Sequence, residues 1–199
     1  MAGSNLILKN TEEALHAFGR YVVQQSRSRL SKSGTKKGKL YNSIDYKIEV
    51  NLDNLIIKFP FMKEFDYAKF IDQGVKGKDP SKVSPNAKIK GQQAPQSQYK
   101  FGSRKYKGTF DKFTKNMTSF AKNRNIRFRD SGGKFDKGSY KSMGYVIAKN
   151  IYYRGIKPKY FFSKSFDMAF DSFPNDLLDA FALDVKQKLK NLSKKWVQK

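Results

Sequence analysis

The sequence predicts an α+β fold: an N-terminal helix, an antiparallel β-hairpin packed against helices, a long C-terminal helix, and a large basic, loop-rich insertion between them. Three observations predict it. Apolar residues recur at spacings of three and four near both ends of the chain, the mark of one helical face. Between Ile44 and Phe61 the period changes to two, the mark of half-buried strands. From Val75 to Gly108 there are nine Lys and Arg, one acid (Asp79), three Pro and few aliphatics, a composition that does not build a core of its own. Residues 1–199 are therefore read as a single α+β domain, with 75–138 as a basic insertion or arm within it.

The elements follow in order. Asn10 or Thr11 can cap a helix, and Glu12 and Glu13 favour its first turn through the helix dipole. Leu15, Phe18 and Val22 carry the apolar face, so the first helix is expected from about Thr11 to Leu30. Ser31 to Gly38 is small, polar and basic, and reads as a loop. Ile44, Tyr46, Ile48 and Val50 alternate with polar residues, Asn51 to Asn54 supplies a turn, and Leu55, Ile57, Phe59 and Phe61 alternate again. Pro60 marks a strand exit, because it has no N–H to donate to a ladder. Tyr67 to Gly74 is a short apolar element stopped by glycine.

After the first part of the insertion, Phe110, Phe113, Met117 and Phe120 fit a short amphipathic helix, and Asn123 to Lys137 forms a second basic, Gly-containing loop. Met143, Val146, Ile147 and Ile151 suit a helix ending near Arg154-Gly155. Ile156 to Lys159 is a connector, and Phe161, Phe162, Phe166, Met168 and Phe170 form a dense apolar segment. Pro174 fits the first position of the last helix. Leu178, Phe181, Val185, Leu189, Leu192 and Trp196 repeat at three to four, which carries that helix to about Lys195.

A chain of 199 residues can bury a self-sufficient core. Its hydrophobic fraction is only 38%, but 17 Phe and 11 Tyr compensate, since large aromatics bury much area per residue. Lys and Arg outnumber acids 41 to 17, a formal charge of +24. So much like charge opposes compaction and implies a partner that supplies negative charge: nucleic acid, an acidic protein surface or an anionic membrane. No run of about 18 apolar residues is present, so membrane insertion is not expected. The N-terminus lacks the long apolar stretch of a signal peptide. With no Cys, disulfides and thiolate chemistry are excluded, and synthesis in a cytosol fits.

Candidate chemistry is sparse. His16 is the only histidine, and general acid–base work requires a second positioned group, so a structural role is expected. No His/Cys pair has zinc-ligand spacing, and no phosphate-binding glycine fingerprint occurs. Asp45 and Glu49 fall on the polar face of one strand and are the pair that could hold a divalent metal; the alternative is a solvated face that offsets nearby Lys. Asp176 and Asp179 suit the first turn of the last helix. No metal, cofactor or catalytic residue is assigned.

The basic, aromatic-interleaved segments carry the functional weight. Tyr99, Phe101 and Tyr106 lie among Lys100, Arg104, Lys105 and Lys107; Arg124, Arg127 and Arg129 follow, with Phe128 between them. Lys and Arg neutralise phosphate while aromatics stack on unpaired bases. The same residues anchor protein interfaces. The arm, from Val75 to about Lys137, is expected to be mobile in the free protein, ordered on assembly, and removable without loss of the core.

The order of elements resembles a known family. Gly38-Lys39-Leu40-Tyr41-Asn42-Ser43-Ile44 is similar to the G-x-L-x-x-S-I lead into the first strand of neck and tail-completion proteins of tailed bacteriophages. Tyr67-Ala68-Lys69-Phe70-Ile71-Asp72-Gln73-Gly74 resembles the family's Y-A-x-x-x-x-x-G after a strand pair. Ile156-Lys157-Pro158-Lys159-Tyr160-Phe161-Phe162 and the helix from Pro174 resemble its Pro-led aromatic segment and long C-terminal helix. The resemblance covers roughly residues 10–74 and 140–195. The chain departs from the pattern in its insertion and in having Ser33-Gly34-Thr35-Lys36-Lys37-Gly38 where an Ala-Pro-x-Asp-Thr-Gly stretch is common. The resemblance implies a non-catalytic virion protein, made in the host cytoplasm and located in the neck or tail region. It implies a homo-oligomeric ring joining portal to tail, with other neck, portal or tail proteins as neighbours and DNA passing through its channel. The rival reading from the residues alone is a basic DNA-binding protein, and behind it a metal-dependent nuclease.

Overall fold

The computed structural model describes residues 8–32, 38–51, 54–65, 67–103, 109–135 and 138–197. In chain order the elements are α1 (Lys9–Lys32), α2 (Lys39–Ser43), β1 (Lys47–Val50), β2 (Leu55–Lys58), α3 (Phe61–Glu64), α4 (Ala68–Gln73), β3 (Val75–Lys76), α5 (Phe110–Asn123), α6 (Tyr140–Arg154), β4 (Gly155–Ile156), α7 (Ser163–Ser172) and α8 (Pro174–Val197). The fold is α+β, with two small antiparallel sheets and a long C-terminal helix. The chain divides into two compact units, Met1–Ala68 with Lys159–Lys199, and Lys69–Pro158.

In the first unit, α1 buries Phe18 and Val22 against Ala169 of α7. Aromatic rings fill the space around them. Phe18 lies edge-on to Phe166 and Phe173, with centroids 5.6 and 5.9 Å away. Phe162 meets Phe59 at 5.2 Å and Phe61 at 5.4 Å. The hairpin pairs Ile48 with Ile57 and Val50 with Leu55, which keeps the expected alternation. Its strands are shorter than expected. Ile44 is fully buried before β1 begins, and Leu40 is buried on the unpredicted short helix α2. β2 stops at Lys58, and Pro60 is the N-cap of α3. Gly19 is the point of closest approach between α1 and Tyr46: a Cβ there would lie 2.5 Å from the Tyr46 ring. His16 Nδ1 and the Tyr46 hydroxyl are 2.9 Å apart in the same contact.

The second unit, Lys69–Pro158, contains the 75–138 segment expected to be an arm. Regular structure between Lys76 and Ser103 is confined to one 3-10 turn, Pro80–Lys82, yet the backbone is tied down. Lys76 N–H donates to Tyr99 O at 2.7 Å and Phe101 N–H to Lys76 O at 3.0 Å. Lys78 N–H donates to Tyr152 O and Gln93 N–H to Arg154 O, each at 2.9 Å. Side-chain amides satisfy further backbone groups: Gly77 N–H donates to Gln92 Oε1 at 2.6 Å, and Ser84 N–H to Asn150 Oδ1 at 3.1 Å. The described part of the segment is thus packed rather than free. A count of aliphatics does not reveal this, because the apolar area is aromatic. Phe101 lies 5.8 Å from Phe113 and 5.5 Å from Tyr152, and Phe110 lies 5.2 Å from Tyr152.

Helices α5 and α6 form the body of this unit. Thr109 caps α5 and Ser139 caps α6, each side chain accepting a backbone N–H three residues on. Gly144 lets the two helices approach closely, since a Cβ there would stand 2.3 Å from Thr118 Oγ1. Gly155 ends α6 at φ 95°, a conformation suited to glycine, and leads straight into β4, which pairs with β3.

Candidate interaction surfaces

The C-terminal helix has two faces with different fates. Asp184 is 2% exposed and receives the open N-terminus of α1. Asn10 N–H and Nδ2–H donate to its Oδ1 at 3.1 and 2.7 Å; Thr11 N–H and Oγ1–H donate to its Oδ2 at 2.9 and 2.7 Å. A carboxylate from a distant helix therefore caps α1, where Asn10 or Thr11 was expected to do so. Burial at Asp184 works against charge, but the bonds from Thr11 and Asn10 outweigh it and hold the carboxyl below its ordinary range. Leu177, Ala180 and Lys188 are half-buried on this same face.

The stripe picked out by periodicity lies about a quarter turn around the helix from Asp184. It is not covered. Leu178 is 65% exposed, Phe181 46% and Leu189 62%. Leu183 and, on α7, Met168 and Phe170 are also exposed. Arg29 of α1 donates to Met168 Sδ at 2.8 Å. The acids Asp167, Asp171, Asp176 and Asp179 are exposed on the same two helices. The sequence carries a signal for this face that periodicity missed: from Ser165 to Val185 there are five Asp and not one Lys or Arg.

The second unit has the opposite character, with 22 Lys and Arg against five acids between Lys69 and Pro158. Lys112, Lys115 and Lys122 are exposed along α5 together with Phe120, and Lys141, Tyr145 and Lys149 along α6. Of the residues singled out from sequence, Tyr99 is 8% exposed, its ring 4.8 Å from Phe70. Phe101 is half-buried in the aromatic cluster, and Lys100 is exposed. Arg104, Lys105, Tyr106 and Lys107 lie outside the described residues. Arg124 stands 5.8 Å from the Phe120 ring. Arg127 and Arg129 both approach the Phe135 ring, at 5.5 and 4.5 Å, and Arg127 Nε–H donates to the Tyr140 hydroxyl at 2.9 Å. The structure thus separates the set: Tyr99 and Phe101 serve the core, while the arginines form an exposed basic–aromatic knuckle.

A cleft of about 500 Å³ in the second unit is lined by Phe70, Tyr99, Phe101, Phe113 and Tyr152, with Lys100 and Lys112 beside them. An open groove of about 1060 Å³ in the first unit runs along Arg20, Gln24 and Arg27 to Tyr41 and Asp45. Arg27 Nη2–H donates across it to Ile44 O at 2.8 Å. Of the candidate metal pair, Glu49 is bound to Lys58 across the hairpin, and Asp45 accepts from the Tyr46 N–H. Among the described residues no three His, Cys, Asp or Glu side chains gather as a metal site, and no helix is long and apolar enough to cross a membrane.

No family model, no curated protein and no solved structure matches this chain.

Proposed function

We propose that this chain is a non-catalytic building block of a homo-oligomeric ring, of the kind that joins head to tail in tailed bacteriophages as a neck or tail-completion component. The carrying observation is the uncovered apolar stripe of α8, where Leu178 and Leu189 keep 65% and 62% of their surface exposed. Apolar residues repeated along one helix face, left open and flanked by charge, are what a subunit interface requires. The family-like motifs support the reading through their positions. Leu40, Ile44, Ala68 and Phe161 are buried, and Gly74 adopts φ 70°, so the quoted residues are those on which this fold depends.

The reading includes a virion location, neighbours drawn from portal and tail proteins, and DNA in the channel. Class averages from electron micrographs of the purified protein test it. Closed rings are the expected outcome; uniform single-chain particles at every concentration, with no incorporation into virions, would overturn it.

A second reading, DNA binding, is favoured by the exposed Arg127–Phe135–Arg129 knuckle. It requires affinity for short duplex or single-stranded DNA that falls steeply with salt and weakens on Arg127→Ala and Arg129→Ala. The nuclease reading has the least support, because Glu49 is already engaged by Lys58.

A further inference from the structure

We infer that the acidic, apolar face formed by α7 and the first half of α8 is the docking surface for the basic, aromatic α5–α6 surface of a second copy of this chain. The contact is head to tail. This inference deepens the ring reading above and rests on its homo-oligomeric part.

In a chain of formal charge +24, the stretch Ser165–Val185 has five Asp and no base. Asp184 is consumed in capping α1. The other four, Asp167, Asp171, Asp176 and Asp179, are exposed. Exposed Phe170 lies on α7 with Asp167 and Asp171, and on α8 exposed Leu178 lies about 100° around the helix from Asp179, while Asp176 is on the far side from Leu178. A surface of this kind needs a partner that is both basic and apolar, and the chain carries one on its own second unit. There Lys112, Lys115 and Lys122 are exposed on α5 beside Phe120, 43% exposed, with Tyr145, 49% exposed, on α6. The two surfaces differ, so the contact is heterologous. A heterologous contact leaves one free face of each kind on every added copy, and propagation ends only when a ring closes. Complementary potential would also steer the encounter and set its register.

A nucleic acid is a poor occupant of the α7–α8 face, since its phosphates would meet the carboxylates of Asp167, Asp171 and Asp179. An α8-to-α8 contact between two copies would instead bring identical apolar stripes together without using α5.

Sedimentation velocity on the full chain, at low and high salt, tests the inference with two variants. One carries Asp167→Lys, Asp171→Lys and Asp179→Lys; the other carries Lys112→Glu, Lys115→Glu and Lys122→Glu. Circular dichroism spectra that match the wild type establish that each is folded. Wild-type association should weaken as salt rises. Each variant alone should need on the order of a hundredfold more protein to associate, because like charges are then opposed. Their equimolar mixture should associate again, because each reversed face meets its reversed complement. Should either variant misfold, Asp167→Asn with Asp171→Asn and Lys112→Gln with Lys115→Gln replace the reversals, and both pairs should weaken association.

A wild type that stays monomeric at every concentration and salt would sink both the inference and the homo-oligomeric reading. A wild type that associates while both variants behave like it would sink the inference alone. So would loss in the acidic-face variant with none in the basic-face variant, which would indicate α8 pairing or a different basic protein. A mixture that stays dissociated would also overturn it.

Discussion

Asp184 shows how one side chain can settle the geometry of two helices. Helix α1 begins with open N–H groups, and the carboxylate accepts from both Asn10 and Thr11. Replacing Asp184 by Ala leaves those donors covered and unpaired, and should lower unfolding free energy by about 2–4 kcal/mol in urea titrations. Because the folded carboxyl is held below its ordinary range, its contribution is fully present above the unfolded value of about 3.9. It is lost as pH falls through the folded value. The stability difference between wild type and Asp184→Ala should therefore be constant near neutrality and shrink only in strong acid. Gly19 makes a second residue-scale case. A methyl there would stand 2.5 Å from the Tyr46 ring, so Gly19→Ala should destabilise by about 1–3 kcal/mol. Adding Tyr46→Ala should cost less than the sum of the two single changes, since the ring that clashes is then gone. Neither contact was legible in the sequence: Asp184 reads as one of several helix acids, and Gly19 as a weak point in a helix.

At the scale of elements, helical periods were legible, and caps and strand limits were not. Thr109 and Ser139 cap their helices, and the α6 boundary at Arg154-Gly155 coincides with the sequence reading. The first strand begins later than alternation suggests, because Leu40 and Ile44 are buried from a helical turn and an extended lead. The larger difference is the segment 76–103. Its backbone bonds run to Tyr152 and Arg154, and Tyr99 and Phe101 fill an aromatic core. Deleting Lys76 to Arg104 should therefore expose the rest of the second unit to protease and remove helical signal from α5 and α6. A deletion variant as protease-resistant and helical per residue as the parent would show that α5 and α6 need no such support.

At the scale of the whole molecule, a charge of +24 governs the behaviour of the free chain. Self-repulsion of that size opposes the compact state and is relieved by screening. Raising salt should therefore raise the thermal midpoint of the isolated chain. Relief of about 1 kcal/mol corresponds to about 2–4 °C for a chain of this length, measurable by differential scanning fluorimetry in sodium chloride. A midpoint that falls with salt would mean that internal ion pairs outweigh repulsion.

Composition and periodicity by themselves determined the α+β class, the helices at both ends, the hairpin and the excess of positive charge. These follow from local rules, since side-chain spacing and net charge do not depend on what packs where. Only the tertiary structure decided which face of α8 is covered. The helix has an apolar stripe through Leu178, Phe181 and Leu189, yet the hydrogen bonds of Asp184 to α1 belong to a different face. Periodicity finds an apolar face but cannot tell a core from an interface, because both remove the same surface from water and differ only in which chain supplies the cover. The sorting of the basic–aromatic residues was likewise tertiary. Tyr99 and Arg129 have equal claim in sequence to be anchors, but the first lies against Phe70 in a core and the second on exposed Phe135, because distant segments reached one ring and left the other to solvent.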